Sequence, residues 1–177
     1  MSENITHNSM LELAESIARQ YHLNQPYGDH IEKGDYFKFH IDPVRKEAMR
    51  IAREFNYPLI EVELAALLHD LLEDTDYDEL KLRSEFGNLV YEAVKLLTLT
   101  GDMEMESYLA EISGNEIAKA VKTADRIVNV SQLKDIKDAG VRNKRFTKYL
   151  RHFYLFEKYN IHPDKVAEAF IRISFNS

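Results

Sequence analysis

The sequence predicts an all-α fold, a single-domain bundle of about eight helices spanning residues 1–177, and three observations carry that reading. Apolar residues recur three and four apart nearly throughout the chain, the period of a helix with one buried face. No segment reads convincingly as a strand. The six glycines and four prolines are scattered as punctuation, with no linker, repeat or low-complexity tract between them.

Taken in order, Leu11, Ala14, Ile17 and Ala18 mark a first helix that ends near Tyr21. Residues 22–41 read as a long irregular loop holding Pro26, Gly28 and Gly34, and loops of that length are uncommon unless they bind something. Asp42 and Pro43 have the character of an N-cap and first helical residue, opening a helix to about Phe55. Pro58 restarts the chain into a strongly apolar helix that runs to about Glu73. Helices at about 78–86 and 88–99 follow, separated by Gly87, then one at about 103–113 before Gly114. The last three are expected at about 115–132, 141–159 and 163–175, with Gly140 and Pro163 as boundary signals.

Composition narrows the chemistry. The chain is 45% hydrophobic and 30% charged, ordinary for a soluble globular protein. It has no cysteine, so disulfides and thiolate metal sites are excluded, and any metal must rest on imidazole and carboxylate. Met1 to Met10 is polar and no later apolar run reaches membrane-spanning length, so no membrane association and a cytoplasmic address are expected. A net charge of −7 argues against coating nucleic acid by bulk electrostatics. It still permits a small anionic substrate, because a bound cation reverses the local field.

The informative segment is LAALLHDLLED, residues 64–74. A helix this apolar belongs inside the protein, yet it ends in His69, Asp70, Glu73 and Asp74. The pairs His69/Glu73 and Asp70/Asp74 are four apart, which places them in adjoining columns on its last turns. Carboxylates at a helix C-terminus oppose the macrodipole at about 0.3–1 kcal/mol each, and Asp76, Asp78 and Glu79 add repulsion. A cation is the simplest thing that offsets such crowding. Alone, a His-Asp pair means little, since acidic clusters are usually solvated helix ends. Two further segments strengthen the case. YFKFHIDP (36–43) sets His40 just before a helix start, among aromatics. VKTADRIVN (121–129) presents Lys122, Asp125, Arg126 and Asn129 on one face, beside an apolar stripe of Val121, Ala124 and Val128.

In the order His40, His69-Asp70, Asp125, these residues resemble the H…HD…D pattern of the HD phosphohydrolase superfamily. HDLLEDT (69–75) and VKTADRIVN look like signatures of the alarmone hydrolases, the hydrolase domains of Rel/Spo enzymes and their single-domain relatives, which act on guanosine 3′-pyrophosphates. Ala65-Ala66-Leu67-Leu68 before the HD pair and Phe86-Gly87 after it fit as well, and the resemblance runs from about Tyr27 to Leu133. It implies a metal-dependent pyrophosphohydrolase of a purine nucleotide such as ppGpp. One divalent ion would be held by His40, His69, Asp70 and Asp125. The family's usual metal is manganese, and two imidazoles with two carboxylates suit it, with iron, cobalt or zinc as alternatives. Glu73 and Asp74 would be the catalytic pair beside the attacking water, which the ion makes acidic enough to supply hydroxide at neutral pH. Asn129 would bond the substrate or a ligand.

Two departures from that pattern concern substrate binding. Alarmone hydrolases commonly carry an Arg-Lys pair before the first metal histidine, where this chain has Glu32 and Lys33. A second basic patch expected after the EDT motif is replaced by GDMEMESYLAEISGN (101–115), which has no Lys or Arg. The nucleobase is therefore left open. Basic residues elsewhere are candidates for the phosphate grip: Lys38, Lys122, Arg126 and a row of Lys144, Lys148 and Arg151 in 142–158, where Phe146, Tyr149, Leu150 and Phe153 form the apolar face. A solvated basic face explains that row equally well. Tyr27 or Tyr36 is a candidate to stack on a base. Other nucleotide phosphatases, acting on dNTPs or nucleoside monophosphates, and a non-catalytic nucleotide-binding module are competing readings. The EDT motif argues against the first and the intact Glu73-Asp74 pair against the second. The partner expected is a small nucleotide, and a homo-oligomer is compatible with the sequence.

Overall fold

In a computed structural model, the fold is described for residues 7–25, 27, 35–101 and 103–175. Nine α-helices occur among them: α1 (His7–Tyr21), α2 (Asp42–Phe55), α3 (Leu59–Leu68), α4 (Leu71–Asp74), α5 (Glu79–Leu97), α6 (Met105–Ser113), α7 (Glu116–Ser131), α8 (Ala139–Lys158) and α9 (Pro163–Phe175). α4 is a single turn, and no strand occurs among the described residues. None of these helices is long and apolar enough to cross a membrane. This is the all-α bundle that the sequence predicts.

The helix that carries Asp125 is the axis of the bundle. α2, α3, α5, α6, α8 and α9 all pack against α7. Its apolar positions, including Ala120, Val121, Ala124 and Val130, are fully buried. From Val62 onward α3 is buried except at Glu63, and it lies against α1, α2, α5 and α7. Leu64, Leu67 and Leu68 are at most 1% exposed, so truncating one to alanine costs about 2–5 kcal/mol. Side-chain caps fix three starts: Asp78 accepts from Lys81 N–H at α5, Asn115 from Ala118 N–H at α7 and Asp138 from Val141 N–H at α8.

Four boundaries differ from expectation. The segment before α2 is helical from Tyr36, with residues Phe37–Ile41 forming a π-helical turn that runs straight into α2. Asp42 therefore lies inside a continuous helix and caps nothing; its carboxylate bonds Arg45 and Lys46 instead. The apolar helix from Pro58 is broken after Leu68, and α4 restarts it at Leu71. Gly140 lies inside α8, whose start is set by the Asp138 cap. The separation at Gly87 holds: φ 81°, ψ 171° there kinks α5 into two segments.

Candidate metal centre

The π-turn follows from Pro43. A proline lacks the N–H that would bond the carbonyl four residues back, and its ring crowds that carbonyl, here Phe39. Widening the preceding turn relieves the clash, with Asp42 N–H bonded to Phe37 O. The freed Phe39 carbonyl accepts from the side-chain Nε2 of Gln132 at 2.5 Å. His40, within this turn, is thereby aimed into the core and is 3% exposed.

His69 and Asp70 occupy the break between α3 and α4. Asp70 sits at φ −97°, ψ 0°, the bridge region common at functional sites, so the expected columns on one unbroken helix are replaced by a corner. His69 Nδ1 donates to Ala66 O at 2.9 Å, which turns Nε2 toward His40 and Asp70. Tyr36 OH donates to Asp70 Oδ2 at 2.6 Å. Tyr36 is therefore a brace on a carboxylate, 9% exposed at the cavity beside the cluster.

From α7, Asp125 enters at 8% exposure, gripped on both oxygens. Lys122 Nζ donates to Oδ2 at 3.0 Å, and Asn129 Nδ2 donates to Oδ1. Asn129, expected to bond the substrate or a ligand, and Lys122, a candidate for the phosphate grip, thus both bond this carboxylate.

These side chains converge. His40 Nε2 lies 3.2 Å from His69 Nε2, 3.2 Å from Asp70 Oδ2 and 3.6 Å from Asp125 Oδ1; His69 Nε2 lies 3.0 Å from Asp70 Oδ2. Ligands about 2.1 Å from a shared ion at right angles to each other are about 3 Å apart, so these spacings fit one coordination shell. The buried trio His40, His69 and Asp125 forms a metal-capable cluster by itself. Burial opposes charge on Asp70, but His69 and His40 outweigh it and hold the carboxyl well below the usual range. Burial likewise opposes a charged His69, yet Asp70 and Asp125 lift it to about 9. Burial would raise Asp125 too, but Lys122 and the two histidines keep it low. Two ionised carboxylates facing two imidazoles are a donor set that fits a divalent cation.

Beside the cluster opens a cavity of about 260 Å³ lined by Tyr27, Tyr36, Glu73, Asp74, Lys122 and Asn129 together with His40, Asp70 and Asp125. Glu73 Oε2 accepts the backbone N–H of Leu99 at 2.8 Å. Partial burial pushes the Glu73 carboxyl up, against the pull of that N–H and of Lys122. Asp74 accepts from Gln25 Nε2 at 2.8 Å. Both acids flank the converging ligands.

The remaining candidates are placed differently. Tyr27 stacks on His40, ring centres 5.0 Å apart and planes at 18°, and its hydroxyl donates to Asn129 and Gln132. Arg126 is 5% exposed, with its guanidinium 4.7 Å from the Tyr149 ring centre and 5.3 Å from that of Phe156, so it packs under α8 and does not line the cavity. Lys38 is exposed, its ammonium over Phe39. Lys144, Lys148 and Arg151 do form one row, lining a groove of about 860 Å³ with Arg145 and His152. The apolar face of that helix is corrected at Leu150, which is 50% exposed; Leu155 and Phe156 are buried in its stead. Glu32 and Lys33 lie outside the described residues. Sequence reasoning missed Gln25, Leu99 and Gln132. The available signal was Pro43, four residues after Phe39.

No protein-family model matches the chain, and no curated protein matches it. Solved structures do. One, of a metazoan ortholog of SpoT said to hydrolyse ppGpp and to play a role in starvation responses, superposes with a TM-score of 0.70 at 21% identity. The match covers 93% of this chain and 95% of that one.

Proposed function

We propose that this chain is a metal-dependent phosphohydrolase that removes pyrophosphate from guanosine 3′,5′-bis(diphosphate) or a related purine nucleotide. The observation that carries the reading is the convergence of His40, His69, Asp70 and Asp125 from three separate segments, with Glu73 and Asp74 at its edge. The fold shared with a structure described as a ppGpp hydrolase supports the substrate class.

In this reading His40 and His69 offer Nε2, and Asp70 and Asp125 a carboxylate oxygen each, to one divalent ion, with manganese as the expected metal. When bound, that ion supplies Lewis acidity, making water more acidic and shielding phosphate charge. The protein's own groups do the rest. Glu73, anchored by Leu99 N–H, takes the proton of the attacking water, and its raised pKa suits proton transfer near neutral pH. The water oxygen bonds to the phosphorus attached to O3′, the P–O3′ bond breaks, and O3′ leaves with a proton delivered from the Glu73-Asp74 pair. Lys122 and Asn129 hold Asp125 in orientation while Tyr36 holds Asp70. Lys144, Lys148 and Arg151 grip the outlying phosphates in place of the depleted basic residues.

The test is a panel: purified protein with manganese and ppGpp, pppGpp, ppApp, dNTPs, nucleoside monophosphates and NADPH, with products identified by mass. Pyrophosphate plus GDP from ppGpp supports the reading. Turnover of dNTPs or monophosphates alone replaces it with a different phosphatase, and binding without any product replaces it with a non-catalytic module.

A further inference from the structure

The two histidines of the cluster are oriented by different means. His69 has a hydrogen bond from Nδ1 to Ala66 O, the usual device for fixing a ligating imidazole. His40 has none: its Nδ1 is buried without a hydrogen-bond partner. Its ring must be held by packing, and the ring lying flat on it is Tyr27, at 5.0 Å and 18°. Its backbone must be held too, because it sits in a π-turn whose Phe39 carbonyl has lost its helical donor to Pro43.

One side chain answers both needs. Gln132, in the 3₁₀ turn Gln132–Asp135 that ends α7, donates from Nε2 to Phe39 O and accepts the Tyr27 hydroxyl at Oε1. The same hydroxyl reaches Asn129 Oδ1 at 3.3 Å, and Asn129 in turn holds Asp125. We propose that Gln132 is the positioning residue for His40, a strut that clamps the π-turn and the Tyr27 ring at once and ties them to the helix carrying Asp125. Tyr27 is the second member of the strut. Gln132 itself touches neither ion nor substrate; it acts by fixing where His40 Nε2 points relative to Asp125. The inference rests on the metal-site reading above.

The test compares the wild type with Gln132→Met, Tyr27→Phe and the double variant, measuring Mn²⁺ affinity by calorimetry and the visible spectrum of the Co²⁺-loaded protein. Gln132→Met keeps length and apolar bulk but can neither donate to Phe39 O nor accept from Tyr27. Its Mn²⁺ affinity should fall by a factor of about 10–100, the range for losing an outer-shell partner, with a shifted Co²⁺ spectrum and unchanged helical circular dichroism. Tyr27→Phe keeps the ring on His40 and should weaken binding by a smaller factor. The double variant should lose no more than Gln132→Met alone, because both act through one strut. Wild-type affinity and spectrum in Gln132→Met overturn the proposal; if that variant does not fold, wild-type affinity in Tyr27→Phe does so. A wild-type protein that binds neither Mn²⁺ nor Co²⁺ is a separate result and removes the metal reading itself.

Discussion

Asp70 and Glu73 are three residues apart, yet the structure turns them to different surroundings, and the proposed mechanism gives them separable duties. Asp70 Oδ2 is within 3.2 Å of both imidazole Nε2 atoms, whereas Glu73 reaches outward to Leu99 N–H at the cavity edge. Asp70→Ala should therefore lower metal content, measured by elemental analysis. Glu73→Gln should leave metal content intact and lower kcat by a factor of about 10² or more, since only the proton acceptor is gone. Near-normal turnover in Glu73→Gln would remove it from proton transfer. The four converging side chains were legible in the sequence because their residue types and order are unusual: a buried-looking helix rarely ends in His-Asp followed by five more acids. Tyr36, Gln25 and Gln132 were not, because a tyrosine or glutamine becomes a brace only through what folding places opposite it. Asn129 was expected to bond the substrate or a ligand, and Lys122 was a candidate for the phosphate grip. Spacing puts them on the face of Asp125, and only the structure shows that they bond it.

At the level of elements, helix existence was readable throughout from apolar period and from caps such as Asp78, Asn115 and Asp138. What the period could not reveal were the two distortions that build the site, the π-turn at Phe37–Ile41 and the break after Leu68. Both keep helical spacing while changing direction, so the apolar pattern runs through them unaltered. The kink at Gly87 is different, because its backbone lies where only glycine is unstrained. No atom would obstruct an added Cβ there, so conformational strain alone decides. Gly87→Ala should cost about 1–3 kcal/mol and lower Tm by roughly 2–10 °C in a thermal melt; an unchanged Tm would show that α5 straightens without penalty. For the basic row of α8, alanine at Lys144, Lys148 or Arg151 should mainly raise KM on the best substrate and reduce its salt sensitivity, leaving kcat less affected. Unchanged KM in all three variants would make the row a solvated face.

Across the whole molecule, a buried histidine outside the candidate metal cluster sets an acid limit. His162 is 6% exposed, with its ring 4.0 Å from the Phe55 ring centre and Nε2 3.4 Å from Tyr57 OH. Burial first, then Lys119, lower its pKa to about 4, against the opposite pull of Asp164 and Glu54. Because the folded pKa lies below the unfolded value of about 6.5, the unfolded state takes up the proton first as pH falls. Stability should be unaffected by this group above pH 6.5 and decline by up to about 3 kcal/mol toward pH 4. His162→Asn suits the left-handed backbone there, φ 40°, and should flatten the decline in denaturant melts; an equally steep decline would assign it to other groups. That residue precedes α9, whereas the candidate metal cluster takes Asp125, with Lys122 and Asn129 on it, from α7. The measurement that bears most directly on the central claim is a manganese titration of chelator-stripped protein, following bound metal and ppGpp hydrolysis together. Activity should be absent without metal and reach its plateau at one ion per chain, as four converging ligands require. Full activity in stripped protein, or a plateau only near two ions per chain, would contradict the account.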